Sequence, residues 1–146
     1  MKRISILLII AGMFALTSCE KDQVMTKISG LTPSSITSPS SGSTYVLTEL
    51  EENNVMETFT WSSANFGYQS AVTYIVQIDK AGNSFASAIN AAETNMTEVS
   101  VTVGEMNNFL LSAGVLPDVE AAYDVRVIAT VHPDVDTLFS SSIDMN

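Results

Sequence analysis

The sequence predicts an all-β protein, a sandwich of about seven short strands with one short helix. Three observations carry that prediction. Apolar and polar residues alternate at period two along several short runs, the pattern of strands with one buried face. Gly, Pro, Asn or Asp punctuates the chain between the runs. Only one stretch, near residues 105–113, carries apolar residues at the i, i+3, i+4, i+7 spacing of a helix.

The first element is not part of the sandwich. Lys2 and Arg3 precede an apolar run from Ile4 to Leu16 broken only by Ser5 and Gly12, and the small residues Thr17 and Ser18 follow. Such a run is too short for a bilayer core, which needs roughly 20 residues. Its charged start and small-residue exit are those of an export signal over residues 1–18, not of a buried helix. Residues 19–33 read as a flexible tether, and residues 34–146 as the folded domain.

Within that domain a short edge strand is expected near Ser35 to Thr37, then a turn at Pro39 and Gly42, then a second short strand at Tyr45-Val46-Leu47. An acidic loop holds Glu49, Glu51, Glu52, Asn53 and Asn54. Val55, Glu57, Phe59 and Trp61 alternate with Met56, Thr58 and Thr60, so Phe59 and Trp61 should face inward and Met56 outward. Residues 62–71 form a loop containing Phe66, Gly67 and Tyr68. Val72, Tyr74, Val76 and Ile78 make the next strand, closed by the turn Lys80-Ala81-Gly82-Asn83. Val99, Val101 and Val103 form another. Met106, Phe109, Leu110 and Ala113 share a helix face that Gly114 ends. Tyr123, Val125, Val127, Ala129 and Val131 are in phase on one strand, and a last strand begins near Leu138. It runs straight into Asn146, which suggests a truncated product or the first module of a longer protein.

Composition removes several function classes. The formal net charge is −10, and loss of residues 1–18 takes Lys2 and Arg3 with it, leaving −12. A nucleic-acid binder needs clustered Lys and Arg and is excluded. One Cys and one His rule out a disulfide framework, a zinc cluster and most triads built on His and Cys. No G-x-G-x-x-G, P-loop or internal repeat is present, and no cofactor is expected.

The remaining motifs each have a structural explanation beside a functional one. Trp61 offers a ring for sugar stacking, but its strand phase makes it core. Phe66 and Tyr68, on a loop, are the better carbohydrate-binding candidates; the alternative is a loop folded over the end of the sandwich. Asp134 and Asp136, beside His132, have an Asp-x-Asp spacing suited to Ca²⁺ but lack the Gly and distant Glu of a loop site. Glu51 and Glu52 are paired carboxylates, but adjacent residues on an exposed loop do not make an acid–base pair. A non-catalytic protein is therefore expected.

Leu16-Thr17-Ser18-Cys19 resembles a bacterial lipobox, which implies lipid attachment at Cys19, the sole thiol of the chain. Lys21 followed by Asp22 is similar to the charged tether that sends lipoproteins of Bacteroidetes to the cell surface. Phe59-Thr60-Trp61, Tyr74-Ile75-Val76 and Tyr123-Asp124-Val125-Arg126-Val127-Ile128-Ala129 resemble strands of an immunoglobulin/fibronectin-III-like sandwich, a likeness that implies a tyrosine corner at Tyr123. Ser43-Thr44-Tyr45-Val46-Leu47, Asp79-Lys80-Ala81-Gly82-Asn83 and Val101-Thr102-Val103-Gly104-Glu105-Met106-Asn107, together with the lipobox, resemble the N-terminal domain of SusE-like outer-membrane lipoproteins. That resemblance implies an outer-membrane protein of a starch or glycan utilisation system. This domain would serve as spacer or scaffold, with starch or maltooligosaccharide and SusC/SusD-type importers as partners. Alternatively, the domain binds glycan itself or docks onto the importer.

The anchor expectation has a direct test. Cys19→Ser should abolish labelling by radioactive palmitate and leave unprocessed or soluble protein; label retained by the variant would refute attachment at this position.

Overall fold

Alternating side chains make a strand wherever one face can be buried, and two such faces must meet to exclude water. The computed structural model describes residues 30–146; the export signal, Cys19 and the Lys21-Asp22 pair lie outside the described residues. Strands β1 (Ile36–Ser38), β2 (Val55–Trp61) and β5 (Glu98–Thr102) form one sheet in the order β1-β2-β5. Strands β3 (Thr73–Lys80), β4 (Ile89–Thr94) and β6 (Tyr123–Thr130) form the other in the order β4-β3-β6, with β7 (Leu138–Phe139) and β8 (Ile143–Met145) both paired to β6. All these strand pairings are antiparallel. The protein is an all-β sandwich with one α-helix, α1 (Val103–Ser112), and a 3₁₀ turn at Glu49–Glu51.

The core lies between the sheets. Phe59, Trp61 and Val101 come from one sheet, and Tyr74, Val76, Ile78, Tyr123, Val125, Val127 and Ala129 from the other. The Trp61 and Tyr74 rings meet at 5.6 Å between centroids with a tilt of 58°, within the preferred tilted arrangement of aromatic pairs. Met106 from α1 and Met145 from β8 complete the cluster. Helix α1 begins at Val103, the last residue of the strand-phase run Val99, Val101 and Val103. Thr102 accepts the Glu105 N–H and the Glu105 carboxylate accepts the Thr102 N–H, a capping box that turns Val103 from strand into first helical turn.

Several sequence expectations are corrected, and one strand, β4, is added. Tyr45-Val46-Leu47 is not a regular strand; only Ser43 bridges Met145, in parallel, while the Tyr45 N–H donates to the Asn146 carbonyl at 2.7 Å. Strand β4 carried no alternation signal because Ala91 and Ala92 have weak strand preference; it forms by pairing with β3. In β2 the register shifts between Val55 and Glu57, a bulge that places Val55 in solvent and Met56 against the core, the reverse of simple alternation. The last strand is split into β7 and β8 around Ser140. Its Oγ accepts the Val127 N–H at 2.8 Å and its N–H donates to the Val127 carbonyl at 2.9 Å, so backbone pairing survives the break. The tyrosine-corner role also moves: the Tyr74 hydroxyl accepts the Ala64 N–H at 3.1 Å, whereas among the described residues the Tyr123 hydroxyl makes no such backbone bond.

Trp61 is the measurable keystone. Truncation of Trp61 to Ala should cost roughly 3–5 kcal/mol, a large share of a total of about 5–15 kcal/mol. The buried Trp61 Nε1 has no hydrogen-bond partner, so Trp61→Phe should cost much less, since it removes an unpaired donor and keeps most of the ring volume. Urea melts followed by circular dichroism would separate the two. Parent-like melting of Trp61→Ala would place the ring outside the core.

Candidate functional site

Strand alternation that buries Val125 and Val127 turns Arg126 outward, and the same phase turns Gln77 outward on β3. Arg126 lies opposite Gln77, and Gln77 opposite Asn90 on β4. The three side chains are joined in a row. Arg126 Nε and Nη2 donate to Gln77 Oε1 at 3.0 and 2.8 Å, and Gln77 Nε2 donates to Asn90 Oδ1 at 2.8 Å. The Arg126 guanidinium carbon lies 4.1 Å from the ring centroid of Phe85 and 4.6 Å from that of Phe139. Cation–π attraction on both contacts holds the guanidinium on the sheet. Phe139 is 48% exposed, so one ring of this cluster remains open to solvent.

Phe85 reaches the row because the turn after β3 is forced into an unusual path. Ser84 and Phe85 have φ of 54° and 59°, left-handed values that cost energy for residues with a Cβ. Asp79 offsets that cost. It is buried, and its carboxylate accepts from the Lys80 N–H at 2.8 Å, the Ser87 N–H at 3.1 Å and Asn83 Nδ2 at 3.1 and 3.0 Å. Asp124 accepts the Gly82 N–H at 3.0 Å from the neighbouring strand. Burial by itself would raise the Asp79 pKa; the bonds from Asn83, Ser87 and Lys80, with the Arg126 charge behind them, outweigh it and hold the pKa below the ordinary 3.8. Burial pulls the Arg126 pKa down and Asp79 opposes that pull. Only Lys80 and Arg126 of the six Lys and Arg lie in the described region, against fourteen of the sixteen Asp and Glu. The row is thus a small cationic and aromatic island on an acidic surface.

The residues singled out from sequence do not converge. Phe66 is 1% exposed and belongs to the core, while Tyr68 is 37% exposed on the same loop. The expectation of two loop rings sharing a sugar-facing surface is corrected: the Asn65–Thr32 backbone pair and the Tyr74–Ala64 bond fold the loop inward and carry Phe66 under it. His132 Nδ1 accepts the Asp134 N–H at 3.2 Å, and the three side chains of His132, Asp134 and Asp136 all point into water. Among the described residues no group of three His, Cys, Asp or Glu is placed to hold a metal. Glu51 and Glu52 are exposed, and Glu51 accepts from the Thr48 hydroxyl at 2.9 Å. Tyr45 donates its hydroxyl to Glu57 at 2.5 Å, and burial followed by that bond pushes its pKa up to about 12. Burial does the same for Tyr123, also to about 12.

Sequence reasoning missed the Arg126 row. The outward phase of Gln77 and Arg126 was legible in the alternation. The approach of Phe85 and Phe139 was not, because it depends on a left-handed turn and on the register of β7.

Residues 20–128 match the model of a protein family described as SusE outer membrane protein. The matched stretch takes in β1 to β5, α1 and most of β6. No curated protein and no solved structure matches the chain.

The Asp79 arrangement has a pH signature. A carboxylate whose folded pKa is depressed adds stability above its unfolded value of 3.8, and that contribution is lost as pH falls through the lower folded value. Urea midpoints should therefore drop on acidification below about pH 4. Asp79→Asn should be less stable at neutral pH and show a shallower acid limb. Parallel pH profiles for parent and variant would refute the role.

Proposed function

The chain belongs to the SusE outer membrane protein family, and from that premise we propose that it is a lipid-anchored, non-catalytic surface protein of a Sus-like glycan-utilisation system, its sandwich acting as a spacer. The observation that carries the reading is the path of the chain. Thr32 and Asn65 exchange backbone hydrogen bonds, both at 2.8 Å, beside the loop that follows β2. Asn146 pairs with Ser43 and Tyr45 at the opposite end, where β6 begins. The chain thus enters at one end of the sandwich and reaches residue 146 at the other. An eight-residue strand such as β3 separates the two ends by about 25 Å at ~3.3 Å per residue.

Lipid on Cys19 would place the entry end toward the membrane and the far end toward the medium. Glycan-binding domains carried beyond the far end, or a SusC/SusD-type importer beside it, would then work clear of the bilayer surface. The non-catalytic reading is supported by the carboxylates themselves. Glu51, Glu52, Asp134 and Asp136 are all exposed and lie on two separate turns of the chain, where no cleft is built around them.

A second reading has one observation in its favour. Phe139, with Arg126, Gln77 and Asn90, offers a ring face bordered by planar polar groups on a rigid sheet, the chemistry that meets a sugar ring and its hydroxyls. The spacer reading gives weak retardation or none when the purified chain migrates through gels containing amylopectin. Clear retardation abolished by Phe139→Ala or Tyr68→Ala would overturn it and make the sandwich itself a glycan-binding module.

A further inference from the structure

The far end of the sandwich carries an apolar cleft. Helix α1 stops at Gly114, whose φ of 82° suits a residue without a Cβ. The Val115 N–H donates to the Leu110 carbonyl at 3.0 Å, and the chain then runs irregularly to β6. Leu116 and Val119 on that segment are 69% and 57% exposed. They face the Tyr45–Leu47 segment across a cleft of about 490 Å³, with Leu111 on its helical wall and Val46, 79% exposed, on the other. A second cleft of about 430 Å³ adjoins it and shares Leu110, Leu116 and Val119. A single exposed Leu is ordinary, but several exposed apolar side chains around one concavity mark an interaction site.

Charge specifies the occupant. Among the described residues, the charged side chains in the larger cleft's wall are Asp118 and Glu120, and no Lys or Arg lines it. The opposite wall leads from Leu47 into the turn bearing Glu49, Glu51 and Glu52, with Leu50 fully exposed between them. An anionic membrane surface would be repelled here. A neutral sugar needs an open aromatic face, and the two rings in the lining are a half-buried Tyr45, its hydroxyl committed to Glu57, and a buried Tyr123. A polypeptide carrying apolar side chains between Lys or Arg residues matches both the lining and the rim.

We propose that this cleft docks a segment of a partner protein in which apolar side chains are flanked by Lys or Arg. The proposal is independent of the spacer reading, which concerns the separation of the two ends and not what either end binds.

Fluorescence anisotropy with three labelled peptides tests it on the purified chain. One alternates Leu and Val with Lys, the second replaces Lys by Glu, and the third replaces Leu and Val by Ser. The first peptide should bind, the other two about tenfold more weakly or not at all, and added salt should weaken the first. Leu116→Asn with Val119→Asn should abolish binding while leaving the urea midpoint unchanged, since both side chains are exposed; Val46→Asn on the facing wall gives an independent variant. Failure of the first peptide to bind overturns the proposal. So does equal binding of the Lys–Ser peptide, or binding indifferent to all three substitutions, because each would mean attraction by net charge alone.

Discussion

The contact between the two sheets, centred on Trp61 and Tyr74, is the constraint on which the rest of the molecule depends. A three-stranded sheet with one apolar face must bury that face against another layer. It is held by driving Phe59 and Trp61 between the valines and tyrosines of the larger sheet. Tyr74 serves twice, packing its ring on Trp61 and accepting the Ala64 N–H on its hydroxyl oxygen. That bond turns the following loop inward and brings Phe66 into the core. One interaction therefore closes an end of the sandwich and withdraws an aromatic ring from the surface.

The outer face of the larger sheet obeys a different economy. Arg126 has no carboxylate within salt-bridge distance among the described residues, although the domain is rich in Asp and Glu. It is held by Gln77 and by two phenyl rings. The nearest acidic influence, Asp79, is committed to bracing the turn that delivers Phe85. Cation, aromatic ring and buried carboxylate are thus one assembly, and the left-handed backbone at Ser84 and Phe85 persists because those bonds over-determine it.

The two ends of the sandwich differ in a way that matters for an outer-membrane protein. The entry end is closed by Phe66 and by the Thr32–Asn65 pairing. The far end is open, acidic and apolar around Leu116 and Val119. For the spacer role proposed above, the separation of the ends is enough, and the docking role proposed for the far end would give that separation a direction.

The fold class, Phe59 and Trp61 as the inward rings of β2, the inward residues of β3, β5 and β6, and the helix with its stop at Gly114 were legible in the sequence. Each of these follows from local periodicity, in which neighbours along the chain report the same buried face. Its likeness to the SusE family was also legible, because that rests on the order of short motifs. Tertiary structure alone decided the rest. The bulge at Met56 and the Ala-rich β4 arise from pairing with distant strands, which periodicity does not encode. Phe66 and Tyr68 lie two residues apart, yet one is core and the other surface, because the Tyr74–Ala64 bond and the Thr32–Asn65 pairing fold the chain inward just before Phe66. Phe85, Arg126 and Phe139 come from three separate segments and meet only once register and turn geometry are set. The cleft at the far end is likewise the product of a helix, a loop and a β8-bound segment brought together by packing, so no single stretch of sequence announced it.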